Sequence, residues 1–553
     1  MKTTKPFILV LLITLILQQT GSINESGVVV TASLKDQESD VVKQQLRSDF
    51  LHFAEQTANV LINYSDSDKW GGMVWKRFLN RPLDDTTLSQ HYAGLMYGSA
   101  GVGTFFLKLF DQTGNNTYLD VAERAGWYIL NQRVINGSIY DFIFEGKPSN
   151  VFWYRAEDTT ASYTGLKYGN AGVVSYLLDL FERTSNQTYL DVALTGLHSL
   201  DAAIVPSEEG EGIAWGYTFF DQTPMADVLY GNVGIAKVYL KAYQLTGNEQ
   251  LLETALDGMR WVISQSEVTT NTTDGRRQVR FSPDDLYPYV FTGQMNGVAG
   301  VGSFLLELNE VTQDNNWLLY AQQIGNWLLS VENVGYWQYG GSDFLTEQSN
   351  EAGYFLGYSH GSAGIGSFLL DLWNATQVGK YLSSVGNVYQ QLEKNSIGQG
   401  NAEYWSEQVI GPDNQTIRTG LRTGVAGIGR YYASLVQYFG TSDSLITLNG
   451  IYNYLKSVTN ENVLIPAQMS NKSDSMLDTL YDSTFFDGMA GIGFFLIETS
   501  EKLANGSTYK AKIFSDSLNN VNSNNIYFNF WTVPIGVTIL AFKRGNKKGK
   551  KKI

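Results

Sequence analysis

The chain has 553 residues, an ordinary apolar share of 43%, 54 acidic against 39 basic side chains and a formal net charge of −15. That balance excludes nucleic acid, because neutralising phosphate takes a basic surface, and leaves cations, neutral sugars and peptides as candidate ligands. The absence of cysteine excludes disulfides, a thiolate nucleophile, thiolate zinc sites and a lipid-modified cysteine anchor. Only four histidines occur, His52, His91, His198 and His360, too few for a histidine-rich metal site.

At the N-terminus, Lys2 and Lys5 precede an apolar run from Phe7 to Leu17 and a polar stretch from Gln18 to Ser22. This reads as a secretory signal over 1–22, with a retained anchor as the alternative, followed by a linker over 23–43. Ten Asn-x-Ser/Thr sequons, Asn63, Asn115, Asn186 and Asn374 among them, suit an exported, glycosylated surface.

From there a repeat dominates. Gly-x-x-Gly turns begin at Gly98, Gly169, Gly231, Gly297, Gly361, Gly424 and Gly488, and their closing glycines follow one another at 71, 62, 66, 64, 63 and 64 residues. Each turn opens a run that is apolar nearly all round, such as Val102 to Phe110, which predicts an inner helix. A polar turn and a helix with one apolar stripe follow, as in Leu119, Ala122, Gly126 and Ile129 or Leu190, Ala193, Leu197 and Leu200; this predicts an outer helix. No polar-capped terminal repeat is visible, so closure is expected over an open solenoid. The predicted fold is all-α, an α/α toroid of seven helical hairpins spanning 44–525. The inner helices should start together at one mouth, where their unpaired N–H groups would favour anions.

The segments before the glycine turns are aromatic and acidic. They carry Asp84 and Asp85; Trp153 with Glu157 and Asp158; Trp215 and Tyr217 with Asp227; Asp285; Trp337 with Glu351; Trp405 with Glu407; and Asp482 with Asp487. Aromatic planes beside carboxylates suit a sugar or a peptide, and carboxylates also serve as helix caps and surface charge. Finally, Ile526 to Phe542 is mostly apolar and a basic tail follows over 543–553. This segment is read either as a C-terminal membrane anchor or as a last buried piece of the domain, since it is short and contains Asn529, Pro534 and Gly536.

The ordered motifs, above all Leu229-Tyr230-Gly231-Asn232-Val233-Gly234 and Phe485-Phe486-Asp487-Gly488-Met489-Ala490-Gly491, resemble those of the lanthionine synthetase C-like family. The resemblance runs from about Gln44 to about Leu518. It implies a seven-hairpin α/α toroid whose zinc activates a peptide thiol for addition to a dehydroamino acid. It also places Asp227 at the family's acidic position. Where the family offers His-Gly, this chain has Asn296-Gly297; where it offers its zinc-binding cysteines and histidine, the chain has Ser359, Arg422 and Thr423. A hydroxyl is a poor zinc ligand and a guanidinium repels metal, so no metal or other cofactor is expected. Asp227, His360 and Asp487 are the catalytic candidates, and Asn296, Ser359, Arg422 and Thr423 the binding candidates. Arg422 either takes the place of the missing positive charge for an anionic ligand or pairs with Asp487. The expected function is that of an exported protein binding a peptide or glycan in the mouth; the alternative is a carboxylate-based carbohydrate enzyme on the same toroid, with Asp158, Asp227, Asp285, Glu351 and Asp487 as its candidates.

Overall fold

The computed structural model describes residues 27–79, 91–135, 151–154, 162–205, 212–270, 277–281, 291–338, 353–398, 401–409, 416–470 and 480–505. The segment read as a secretory signal, the apolar segment 526–542 and the basic tail lie outside them, as do Asp84, Asp85, Glu157, Asp158, Asp285 and Glu351. Among the described residues there are fourteen α-helices and five two-stranded antiparallel ribbons. None of the helices is long and apolar enough to cross a membrane.

Seven inner helices begin at the glycine turns: α2 (Ser99–Thr113), α4 (Asn170–Thr184), α6 (Asn232–Thr246), α8 (Val298–Thr312), α10 (Ser362–Thr376), α12 (Val425–Phe439) and α14 (Met489–Asn505). Six outer helices follow them: α3 (Asn116–Asn131), α5 (Gln187–Ser199), α7 (Glu249–Ser264), α9 (Asn315–Ser330), α11 (Gly379–Asn395) and α13 (Ser442–Val458). Each turn from inner to outer helix is short. The inner helix ends on a residue in the left-handed region, such as Gly114 at φ 64°, and Asn115, Asn186, Asn248 or Asp314 then accepts a backbone N–H to cap the outer helix. Such caps contribute about 1 kcal/mol each. The outer stripes face inward as expected, with Ala122, Ile129, Ala193, Leu197, Ala255 and Ala321 fully buried.

Every inner helix touches the next, and α14 touches α2, so the ring closes. The outer partner of α14 comes from the other end of the sequence. Helix α1 (Gly27–Asn63) starts within the segment read as a linker and packs along α14, where the Ser500 hydroxyl donates to the Arg47 carbonyl at 3.2 Å.

The mouth is held by backbone. The second residue before each glycine turn forms part of a circle of main-chain hydrogen bonds: Phe486 N–H to Met96 O (3.0 Å), Met96 to Lys167 (3.2 Å), Lys167 to Leu229 (2.9 Å), Val228 to Met295 (3.2 Å), Met295 to Ser359 (3.1 Å), Ser359 to Arg422 (2.7 Å) and Arg422 to Phe486 (3.0 Å). The closing glycines make this possible. A Cβ on Gly101 would lie 1.9 Å from the Leu95 carbonyl oxygen, and one on Gly364 1.8 Å from that of Tyr358.

Three expectations need correction. The N-termini of the inner helices do not offer unpaired N–H groups to an anion. The preceding loop folds back and takes them: Ser99 N–H donates to Tyr92 O, Asn170 to Tyr163, Asn232 to Met225, Val298 to Phe291, Ser362 to Phe355 and Met489 to Asp482, all at 2.7–3.1 Å. The inner helices are also not apolar all round. Ion pairs and hydrogen bonds run between inner neighbours, among them Lys108–Glu501 (2.6 Å), Arg183–Asp111 (2.7 Å), Lys241–Asp179 (2.7 Å) and Arg430–Glu498 (2.7 Å). Charged side chains at helical spacing can all face one partner, which a run of mostly apolar letters conceals. Third, the loop tryptophans do not line the mouth. Trp75, Trp153, Trp215, Trp337 and Trp405 are fully buried. The indole N–H groups of Trp75, Trp153, Trp337 and Trp405 donate to Leu61, Ile129, Leu328 and Leu392, near the ends of outer helices, at 2.6–2.9 Å. They pin the loops to the outer ring.

Candidate functional site

The belt fixes which side chains meet at the mouth. The residue immediately before each glycine turn is Tyr97, Tyr168, Tyr230, Asn296, His360, Thr423 or Asp487, and the belt residues before them include Lys167, Ser359 and Arg422. All seven residues singled out in the sequence therefore belong to these loops.

They meet in pairs. Asn296 Nδ2 donates to Asp227 Oδ2 at 3.4 Å, while Asp227 Oδ1 accepts the Tyr230 N–H at 2.7 Å. Burial pushes the Asp227 carboxyl up to about 6, against these donors, which pull the other way. A small cavity beside the pair is lined by Ala226, Phe291, Val298 and Val301. Ser359 Oγ lies 3.3 Å from His360 Nδ1. Burial first, then the cations Arg422 and Lys167, push the imidazole down to about 3, so it stays neutral at physiological pH and is no general acid there. Thr423 is buried and, among the described residues, its hydroxyl has no hydrogen-bond partner.

Of the two fates open to Arg422, the intramolecular one is seen. Its Nε donates to Asp487 Oδ1 at 2.9 Å. Asp487 Oδ2 accepts from the Tyr97 hydroxyl at 3.0 Å and lies 3.7 Å from Arg77 Nη2, and Arg77 Nε reaches the buried Asp482 at 3.3 Å. Burial raises the Tyr97 phenol, and Asp487 adds to the shift. Burial works against the Arg422 charge, but Asp487, Tyr97 and Glu407 together outweigh it and raise the guanidinium above its ordinary value.

Sequence reasoning missed Lys167, Arg77, Tyr97, Tyr163 and Tyr168, and named Tyr217 and Tyr230 without placing them together. Tyr97 stacks on Tyr168 (5.5 Å between centroids), Tyr168 meets Tyr163 (5.6 Å), Tyr163 meets Tyr217 (5.1 Å) and Tyr217 meets Tyr230 (5.6 Å). Lys167 Nζ lies 4.5 Å from the Tyr230 centroid, 5.0 Å from that of Tyr168 and 5.5 Å from that of Tyr97, and donates to the Tyr230 hydroxyl. Reading the same two positions before every glycine turn, rather than only where a known motif was expected, would have found Lys167 and three of the tyrosines. Outside the mouth, His52 faces Gln56, His198 pairs with Asp201 and His91 with Asp66.

Fold and site define a closed α/α toroid with seven glycine-turn loops around one mouth. Residues 162–419 match the model of the lanthionine synthetase C-like protein family. No curated protein matches the sequence. Among solved structures it is similar to nisin cyclase (14% identity, covering 78% of this chain and 95% of that one, TM-score 0.47). It is also similar to D-mannose isomerase (14%, 74% and 97%, TM-score 0.43) and to a GH76 alpha-mannanase of Bacteroides thetaiotaomicron (15%, 69% and 98%, TM-score 0.41).

The residues present do not fit the zinc that the family resemblance implies. At the three ligand positions stand a serine hydroxyl engaged with His360, a guanidinium bonded to Asp487 and a threonine. Two of these are neutral hydroxyls, and the third is a fixed cation that would repel a metal ion.

Proposed function

We propose that this protein is an exported lanthionine synthetase C-like toroid that binds a peptide or glycan in its mouth and does not perform zinc-dependent thiol addition. The observation that carries the reading is the arc of half-buried and buried tyrosines, Tyr97, Tyr168, Tyr163, Tyr217 and Tyr230, in ring-to-ring contact on one side of the mouth. Aromatic faces backed by polar groups suit sugar rings and peptide side chains alike. Export is supported by the exposure of the four described sequon asparagines whose side chains are placed, Asn63, Asn115, Asn186 and Asn374. Asn115 and Asn186 cap their helices through Oδ1, which leaves the amide nitrogen for a glycan.

The enzyme alternative needs two carboxylates facing a bond across open space. Asp227 and Asp487 are each tied down by their own neighbours, which favours binding over hydrolysis. The experiment is a glycan array and a peptide library probed with wild type and with Tyr168→Ala, run beside a hydrolysis assay on every binder. Binding lost in the variant, with the ligand recovered intact, supports the reading. Cleaved ligand, or binding that ignores the tyrosine arc, overturns it.

A further inference from the structure

The charges around the mouth do not balance locally. Arg422 and Arg77 are satisfied by Asp487 and Asp482. Lys167 is not: among the described residues no carboxylate lies within ion-pair distance of its ammonium, although the residue is only 8% exposed. Its one hydrogen bond goes to the neutral Tyr230 hydroxyl, so two of its three N–H donors remain. The faces of Tyr97, Tyr168 and Tyr230 hold the cation electrostatically and fix it at the rim, but they offer its N–H groups no anion. A buried, preorganised ammonium with unspent donors is a receptor for a negative group.

The neighbours narrow the chemistry. From the last hairpin Asp487 faces Lys167, from the sixth Arg422, from the third Asp227 and from the segment between α1 and α2 Arg77. His360 on the fifth hairpin feels Lys167 in turn. Burial, and after it Arg422, bring the ammonium down to about 8; a bound anion would reverse that shift. Asp487 and Asp227 close by disfavour a doubly charged group such as a phosphate, whereas a single negative charge meets less repulsion.

We propose that Lys167 reads a carboxylate on the bound ligand, seated on the ammonium between Tyr97, Tyr168 and Tyr230. The carboxylate comes either from the uronate of an acidic sugar or from the C-terminus of a peptide. The proposal rests on the mouth-binding reading above and makes it specific.

The test uses the purified protein and four probes: a uronate-containing oligosaccharide, its neutral counterpart, a Tyr-rich tripeptide with a free C-terminus and the same peptide amidated. Titration calorimetry and the 13Cε resonance of Lys167 report binding, in wild type, Lys167→Met and Lys167→Arg, with circular dichroism to confirm folding. The expected result is at least tenfold tighter binding of one acid over its neutral partner, a shift of the Lys167 signal on addition of that acid, loss of the preference in Lys167→Met and partial retention in Lys167→Arg. Which acid wins identifies the source. Equal affinity for acid and neutral partner overturns the carboxylate proposal and leaves the mouth-binding reading standing; no binding of any probe counts against both. Should Lys167→Met fail to fold, the wild-type resonance decides: no shift with either acid rejects the proposal.

Discussion

The two sides of the mouth share a frame and differ in chemistry. The loops of the first three hairpins present Tyr97, Tyr168 and Tyr230 before their glycine turns; those of the last four present Asn296, His360, Thr423 and Asp487. Both sides hang from the same main-chain circle and the same glycine contacts. The frame therefore makes few demands on the rim side chains. Ser359, Arg422 and Thr423 occupy the positions where the family resemblance implies zinc ligands, yet the circle passes through Ser359 and Arg422 unbroken. Fold and site chemistry are separable here, which is why likeness to a family does not transfer its reaction.

The comparison breaks first at the shared frame. Gly364→Ala drives a methyl group into the Tyr358 carbonyl. We expect a loss of about 3 kcal/mol or more in chemical denaturation; a loss below about 1 kcal/mol would mean that the circle is not what holds the rim. Next comes the polar side. Asp487→Asn removes the negative charge that pairs with Arg422 and Arg77 and turns one of the two oxygens that accept from Arg422 and Tyr97 into a donor; it should cost about 2 kcal/mol, read in the same assay.

A pH series sharpens the picture. The Asp227 carboxyl, ordinarily near 3.8, is held near 6. A raised acid pKa means that the folded state binds the proton more tightly, so its contribution to stability is full below about 4 and falls as pH climbs through 6. Asp227→Asn should therefore be more stable than wild type at pH 7.5, by ~1 kcal/mol, and should lose that advantage by about pH 4. Equal thermal midpoints at both pH values would refute the assignment. An effect of similar size and opposite sign is expected for the triple change Ser359→Cys, Arg422→Cys and Thr423→His. If rim and frame are separable, it folds with a loss near 1 kcal/mol, since Asp487 keeps Arg77 and Tyr97. Equilibrium dialysis should then find one zinc retained by the variant and none by wild type.

Much of the ring was legible because its cause is local and repeated. A glycine at every closing position answers a carbonyl that comes within 2.3 Å of where its Cβ would be, and that constraint writes itself into the sequence seven times. Arg422 and Asp487 were legible as a possible pair because each stands at a fixed offset from a turn. What escaped depends on distant partners. The ion pairs between inner helices join residues such as Lys108 and Glu501 or Arg430 and Glu498, and no single helix announces its neighbour's charge. The loop tryptophans looked like ligand platforms because composition cannot tell an indole facing a mouth from one facing the outer ring. Lys167 escaped because the matching place in other hairpins holds Met96, Leu229, Met295 or Phe486, so no pattern marks it.

Helix α1 has a consequence for how the molecule is made. It packs against α14, and its Gln56 side chain accepts from Lys456, 400 residues away. During synthesis the segment that emerges early must therefore wait, one apolar face uncovered, until almost everything else has been translated. Contacts of such long sequence separation form slowly, and an exposed amphipathic face in the interval invites aggregation or a chaperone. Docking of α1 on α14 should be the last event in folding; losing α14 should leave an open crescent, whereas losing α1 should leave a closed inner ring with the outer face of α14 uncovered and adhesive.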